Sequence, residues 1–182
     1  MNSPSELEPD RLTGLSVTGL EDLVSDPSRT PLTARSWSMV RVWCVGLMQH
    51  QNLPDEERIR WGALAVEAAR RKHSEGGVSR GDSVAEEVLS RSYLIKTFGA
   101  GGNGSVRDPA EALSCAIGMM GKSREDISRA ADDWRRLSAE EIRSLRQAKN
   151  ILTPLRAILD HLEDGSARRD LHAWLDLIPK LP

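Results

Sequence analysis

Apolar residues recur along this chain at three- and four-residue intervals, and the runs are separated by glycine, proline and capping residues. That period marks amphipathic helices, because 3.6 residues per turn bring such positions back to one face. Leucines 12, 15, 20 and 23, interrupted by Gly14 and Gly19, predict a short helix from Gly19 to Ser25 with Thr18 as its cap. Thr30 followed by Pro31 predicts the next start, since proline is tolerated at the first helical position. From Pro31 to Gln51 the chain is at its most apolar. Met39, Val40, Trp43 and Leu47 keep the helical period, and Val42, Cys44, Val45 and Met48 widen the stripe. A helix apolar on most sides is expected at the centre of a bundle.

Leu53-Pro54 breaks that run. Residues 55–73 open on Asp-Glu-Glu, which suits the positive end of a helix dipole, and carry Ile59, Ala63, Val66 and Arg70 on one stripe before Gly76-Gly77. Ser83 and Glu86, spaced as a capping box, predict a helix from Asp82 or Ser83 to Gly99. Its face is Val84, Val88, Ile95 and Phe98, with Leu89 and Leu94 beside it. Asp108-Pro-Ala-Glu111 starts a helix carrying Leu113, Ile117 and Met120 up to Gly121. Ser123 opens another with Ile127, Ala131 and Trp134. Ser138 and Glu141 open a long stripe from Ile142 to Leu162 that Pro154 must kink or split. Ser166 starts the last helix, faced by Leu171, Trp174, Leu175 and Ile178. No run alternates with period two. The expected fold is all-α, with seven to eight helices and no sheet, in a multi-helix bundle or orthogonal array. Residues 1–10 read as a flexible acidic tail and 11–182 as a single helical domain.

Composition narrows the function. A chain of 182 residues, 39% hydrophobic and 29% charged, suits one globular domain rather than a disordered one. A net charge of −2 lacks the positive balance of a general nucleic-acid binder. The charge is polarised all the same. Residues 1–30 carry six acids against Arg11 and Arg29, and residues 122–156 carry nine bases against six acids. No stretch approaches the length of an uninterrupted membrane span, and the first ten residues have neither the basic nor the apolar region of a secretory signal. The expected location is the cytoplasm, with no membrane contact. Cys44 and Cys115 stand apart in apolar runs and are expected as free thiols.

Several motifs suggest chemistry that their surroundings argue away. Residues 116–123, Ala-Ile-Gly-Met-Met-Gly-Lys-Ser, fit a relaxed phosphate-loop pattern. Such a loop needs a buried strand leading into it, and the preceding residues are helical in pattern. Gly121 suits a helix C-terminus and Ser123 the next N-cap. The run Gly-Ala-Gly-Gly-Asn-Gly-Ser at 99–105 precedes an acidic cap, which repels phosphate, and reads as a flexible interhelical loop. His50, His73, His161 and His172 form no zinc spacing, and the acids around His161 and His172 read as a polar face. No cofactor and no metal are expected.

Three features are left as candidates. Arg135, Arg136, Arg143, Arg146 and Lys149 make a basic ridge that could meet phosphates or an acidic protein face. Arg156-Ala-Ile-Leu-Asp-His161 has the spacing Arg-x4-His, which resembles the short motif of HEPN domains, helical proteins that include metal-independent ribonucleases. The resemblance implies that Arg156 would stabilise charge developing on an RNA phosphodiester and that His161 would move the proton. Five of the seven aromatic residues are tryptophan. Trp43, Trp134 and Trp174 lie on apolar stripes and are expected in the core. Trp37 and Trp61 fit less well and, if exposed, mark an interface.

The leading expectation is a non-enzymatic protein-binding or regulatory module, of adaptor or bacterial immunity type, whose partner is another protein. Its binding residues would be Trp37, Trp61, Arg135, Arg136, Arg143, Arg146 and Lys149. The alternatives are the ribonuclease using Arg156 and His161, and a DNA-binding regulator using the ridge at 135–156.

Overall fold

The computed structural model describes Leu12 and residues 14–26, 32–163 and 165–182. Within them stand eight α-helices: α1 Val17–Ser25, α2 Ala34–Gln49, α3 Asp55–Ser74, α4 Arg80–Phe98, α5 Pro109–Met120, α6 Arg124–Asp132, α7 Ala139–Leu155 and α8 Gly165–Leu175. Three 3-10 turns, Trp134–Arg136, Arg156–His161 and Ile178–Lys180, complete the order. The fold is all-α, with no strand among the described residues. None of these helices is long and apolar enough to cross a membrane. The acidic tail at 1–10 and the Thr30-Pro31 start lie outside the described residues. The chain divides into two compact units, Met1–Ser79 and Arg80–Pro182.

In the first unit, α2 lies along α3, and α1 packs on α3. Helix α2 buries Ser36, Trp37, Val40, Cys44 and Met48, a row at four-residue spacing. Facing residues of α3 are mostly small: Gly62, Ala65, Ala68 and Ala69 are buried together with Trp61, Leu64 and Val66. Small side chains let two helices approach closely, and the tryptophan fills the remaining volume. This row differs from the one expected, for Ala63 and Arg70 are exposed. Small residues, rather than large ones, mark the buried side.

Polar ties fix the ends of this unit. Thr33 caps α2, accepting from the Ser36 amide at 3.3 Å. Buried Arg58 donates from Nε to the Met48 carbonyl at 3.1 Å and pairs with Asp55 at 3.0 Å, joining the end of α2 to the start of α3. Gly77 lies so close to α2 that an added Cβ would stand 2.4 Å from the Ala34 Cβ. Ser16, rather than Thr18, caps α1, through the Gly19 amide at 3.2 Å. Thr18 instead accepts from Arg60 Nη2 at 2.9 Å. Burial pushes the Cys44 thiol up to about 12, so it stays an unreactive thiol.

Arg60 also grips Glu21, with Nε donating to Oε1 at 2.9 Å and Nη2 to Oε2. This hydrogen-bonded pair holds the Glu21 carboxyl below its ordinary 4.5. A depressed carboxylate pKa gives stability that is fully present above the unfolded value and is lost as pH falls through the folded one. The stability difference between the native chain and Glu21→Gln is therefore expected to be constant above about pH 5 and to shrink below it. Urea unfolding of both chains from pH 3 to 7 checks this. A difference that does not change with pH would refute it.

In the second unit, α4 packs against α5, α7 and the turn Arg156–His161. The core joins Val84, Val88 and Ile95 of α4 to Ala112 and Leu113 of α5, Leu145, Ile151, Leu152 and Leu155 of α7, Ile158, and Leu171 and Trp174 of α8. Helix α4 begins at Arg80, ahead of the predicted Asp82 or Ser83, and Ser83 is buried within it. Gly81 allows α4 to meet α7, since a Cβ there would stand 2.1 Å from the Gln147 amide carbon.

The predicted caps are found at three starts. Asp108 accepts from the Ala110 and Glu111 amides, Ser123 from Asp126, and Ser138 and Glu141 form a reciprocal capping box. Gly121 ends α5 in the left-handed region at φ 58°. Residues 116–123 are thus a helix end, a turn and a new cap, and no strand leads into them. Pro154 lies one residue from the end of α7, after which the chain tightens into the 3-10 turn at Arg156.

The loop between α4 and α5 is tied by two arginines. Arg91 Nη1 donates to the carbonyls of Ser105 and Val106 at 3.2 and 3.3 Å. Arg107 Nη1 donates to those of Phe98 and Gly99 at 2.8 and 3.2 Å. The Gly104 amide donates to Asp108 at 3.1 Å. That amide faces a carboxylate, so it does not offer an anion cradle.

Candidate functional site

Helix α2 is apolar on two sides, and α3 covers only one of them. Its other side carries Met39, Val42, Trp43 and Leu47, which line an open hollow with Ser38, Gly46 and His50. Val42 is 65% exposed and Trp43 38%. Gly46 forms the floor, and nothing stands within 4 Å of where its Cβ would be. Hydrophobic side chains scattered singly over a surface need no explanation, whereas a contiguous exposed apolar patch is a candidate docking surface.

The tryptophans stand the other way round from the expectation. Trp37 is 5% exposed and Trp61 3%, so neither presents a ring to a partner. Trp37 belongs to the row that meets α3, and Trp61 fills that interface while its indole N–H reaches Glu57 at 3.3 Å. Trp43, expected in the core, is the exposed one. On a helix this apolar, periodicity alone does not say which row is covered.

Of the basic ridge, Arg135, Arg136, Arg143 and Arg146 are exposed. Lys149 is half-buried and donates to the carbonyls of Leu181 and Pro182 at 2.9 and 3.5 Å. Arg136 pairs with Asp133 at 3.4 Å, and Arg135 lies over the Trp134 ring at 5.6 Å. Arg143 and Arg146 stay exposed on α7, with no ion pair among the described residues. Helix α6 packs on the turn Ile178–Lys180.

Arg156 and His161 do share a groove, with Lys96, Thr153, Pro154, Ala157 and Asp160. Arg156 is exposed and His161 half-buried. In a 3-10 turn, residues three apart eclipse one another, so Ala157 and Asp160 form one row with Arg156 and His161 on opposite sides of it. Asp160, in the same groove, is paired to Arg168 at 2.7 Å. Among the described residues no three His, Cys, Asp or Glu side chains converge to hold a metal.

No family model, no curated protein and no solved structure matches this chain.

Proposed function

We propose that this chain is a non-enzymatic protein-binding module that docks its partner on the uncovered face of α2. The observation that supports this reading is the contiguous exposure of Val42 and Trp43, with Met39 and Leu47, around the open floor at Gly46. Its physical basis is the removal of apolar area from water, about 25 cal/mol per Å2, concentrated at an aromatic side chain of the kind that dominates interface energies.

The test compares the native chain with Val42→Asp and with the double variant Arg143→Ala, Arg146→Ala. Each is tagged and recovered from its own host with and without nuclease, and the native mass of the complexes is measured. The expected result is a stoichiometric protein partner that survives nuclease, is lost with Val42→Asp and is kept by the arginine variant. Val42 is exposed, so the aspartate leaves the fold intact, which circular dichroism checks. A partner set that vanishes with nuclease, or with Arg143 and Arg146, would put the basic residues in its place. RNA cleavage abolished by Arg156→Ala or His161→Ala would replace the reading with the ribonuclease.

A further inference from the structure

The face of α2 has a direction and a charge. Arg35, Met39, Gly46 and His50 follow one another at near-helical spacing, with Val42 and Trp43 on either side. The row is about 22 Å long at 1.5 Å per residue. Arg35, one turn before Met39, is exposed and has no partner among the described residues. Helix α2 carries no acidic residue at all. The surface is thus an apolar strip with the Arg35 guanidinium at one end and His50 at the other.

We infer that the occupant is a single amphipathic helix of a different protein, apolar along the strip and acidic where it passes Arg35. This rests on the docking reading above. Backbone groups in the interior of α2 are already paired within the helix, so an extended peptide would gain no ladder of hydrogen bonds here. Side chains spaced at three and four residues instead offer ridges that a second helix can interleave, with Gly46 receiving the partner's largest one. A second copy of this chain fits poorly. Packed parallel, α2 against α2, it would set Arg35 beside Arg35, and α2 supplies no acid of its own to meet either. A partner carboxylate at that end gives the guanidinium a charge-assisted hydrogen bond and sets the partner's orientation.

The experiment uses the full chain and a displayed library of 18-residue helical peptides. Their leucine and phenylalanine stripe is fixed, and the positions flanking it vary among Glu, Gln and Lys. The enriched peptides are expected to carry glutamate at one end of the stripe and to lose binding to Val42→Asp. Against Arg35→Glu they are expected to bind at least tenfold more weakly, with the difference narrowing in 0.5 M salt. Peptides that depend on Val42 but show no glutamate bias, or that bind Arg35→Glu equally well, would overturn the acidic helix and leave the docking face standing. If no enriched peptide depends on Val42, both fail. Two further results would overturn the helical partner in favour of another occupant of the same face. One is Val42-dependent dimerisation of the chain alone in sedimentation. The other is Val42-dependent binding to vesicles of equal phosphatidylcholine and phosphatidylserine.

Discussion

Replacing Arg91 by alanine is expected to destabilise the second unit by about 3–5 kcal/mol, a large fraction of a domain's total stability. Arg91 is 3% exposed. Its Nε donates to Glu87 at 2.9 Å, and Glu87 is itself 3% exposed. Its Nη2 reaches Glu111 at 2.7 Å, and Nη1 holds the loop carbonyls of Ser105 and Val106. Removing the guanidinium takes from the buried Glu87 carboxylate a cation that helps to compensate its lost hydration. The penalty therefore exceeds the value of any single bond in the network. Urea denaturation measures it, and a loss below about 1 kcal/mol would show that the network is not what secures the unit. A double variant, Arg91→Met with Glu87→Leu, is expected to recover most of the loss, because two apolar side chains of similar volume need no partners. Amide exchange adds a local readout. Residues 99–107 are expected to exchange faster in Arg91→Ala than in the native chain, where Nη1 holds the Ser105 and Val106 carbonyls.

This network was not legible in the sequence, and the reason is physical. Glu87 and Arg91 are four apart on α4, the spacing of an ordinary surface pair. Their burial is decided by α5, which returns Glu111 and the loop carbonyls over them, and nothing local to α4 announces that. The helix ends were legible for the opposite reason. A cap is satisfied within three or four residues, so Asp108, Ser123 and Ser138 could be read from their neighbours alone. Local chemistry also settled residues 116–123, where Gly121 and Ser123 fit a helix junction and left no strand for a phosphate loop. The cap expected at Thr18 failed by two residues because Ser16 was available just upstream, and the Thr18 hydroxyl is used by Arg60 instead.

The three tryptophans of the first unit are expected to divide cleanly. Trp37→Ala and Trp61→Ala should each cost about 3–5 kcal/mol of stability, the range for emptying a buried aromatic site. Trp43→Ala should cost less than either, since 38% of the residue already meets water. Binding should show the reverse order. Trp43→Ala is expected to weaken the α2 complex by about 2 kcal/mol or more, roughly thirtyfold, as truncation of an interface tryptophan does. Urea unfolding of each variant gives the first quantity, and titration with the partner or a selected helical peptide gives the second. Should Trp43→Ala prove as destabilising as Trp61→Ala, the face would be core and the docking reading would fall. The division follows from α3 rather than from α2. Gly62, Ala65, Ala68 and Ala69 make a row shallow enough to receive the side of α2 that bears Trp37, Val40, Cys44 and Met48. Once that side is taken, Val42 and Trp43 are left 65% and 38% exposed, beside half-buried Met39 and Leu47. Apolar side chains left in contact with water, as at Val42 and Trp43, carry some risk of aggregation, which is offset when a partner covers them.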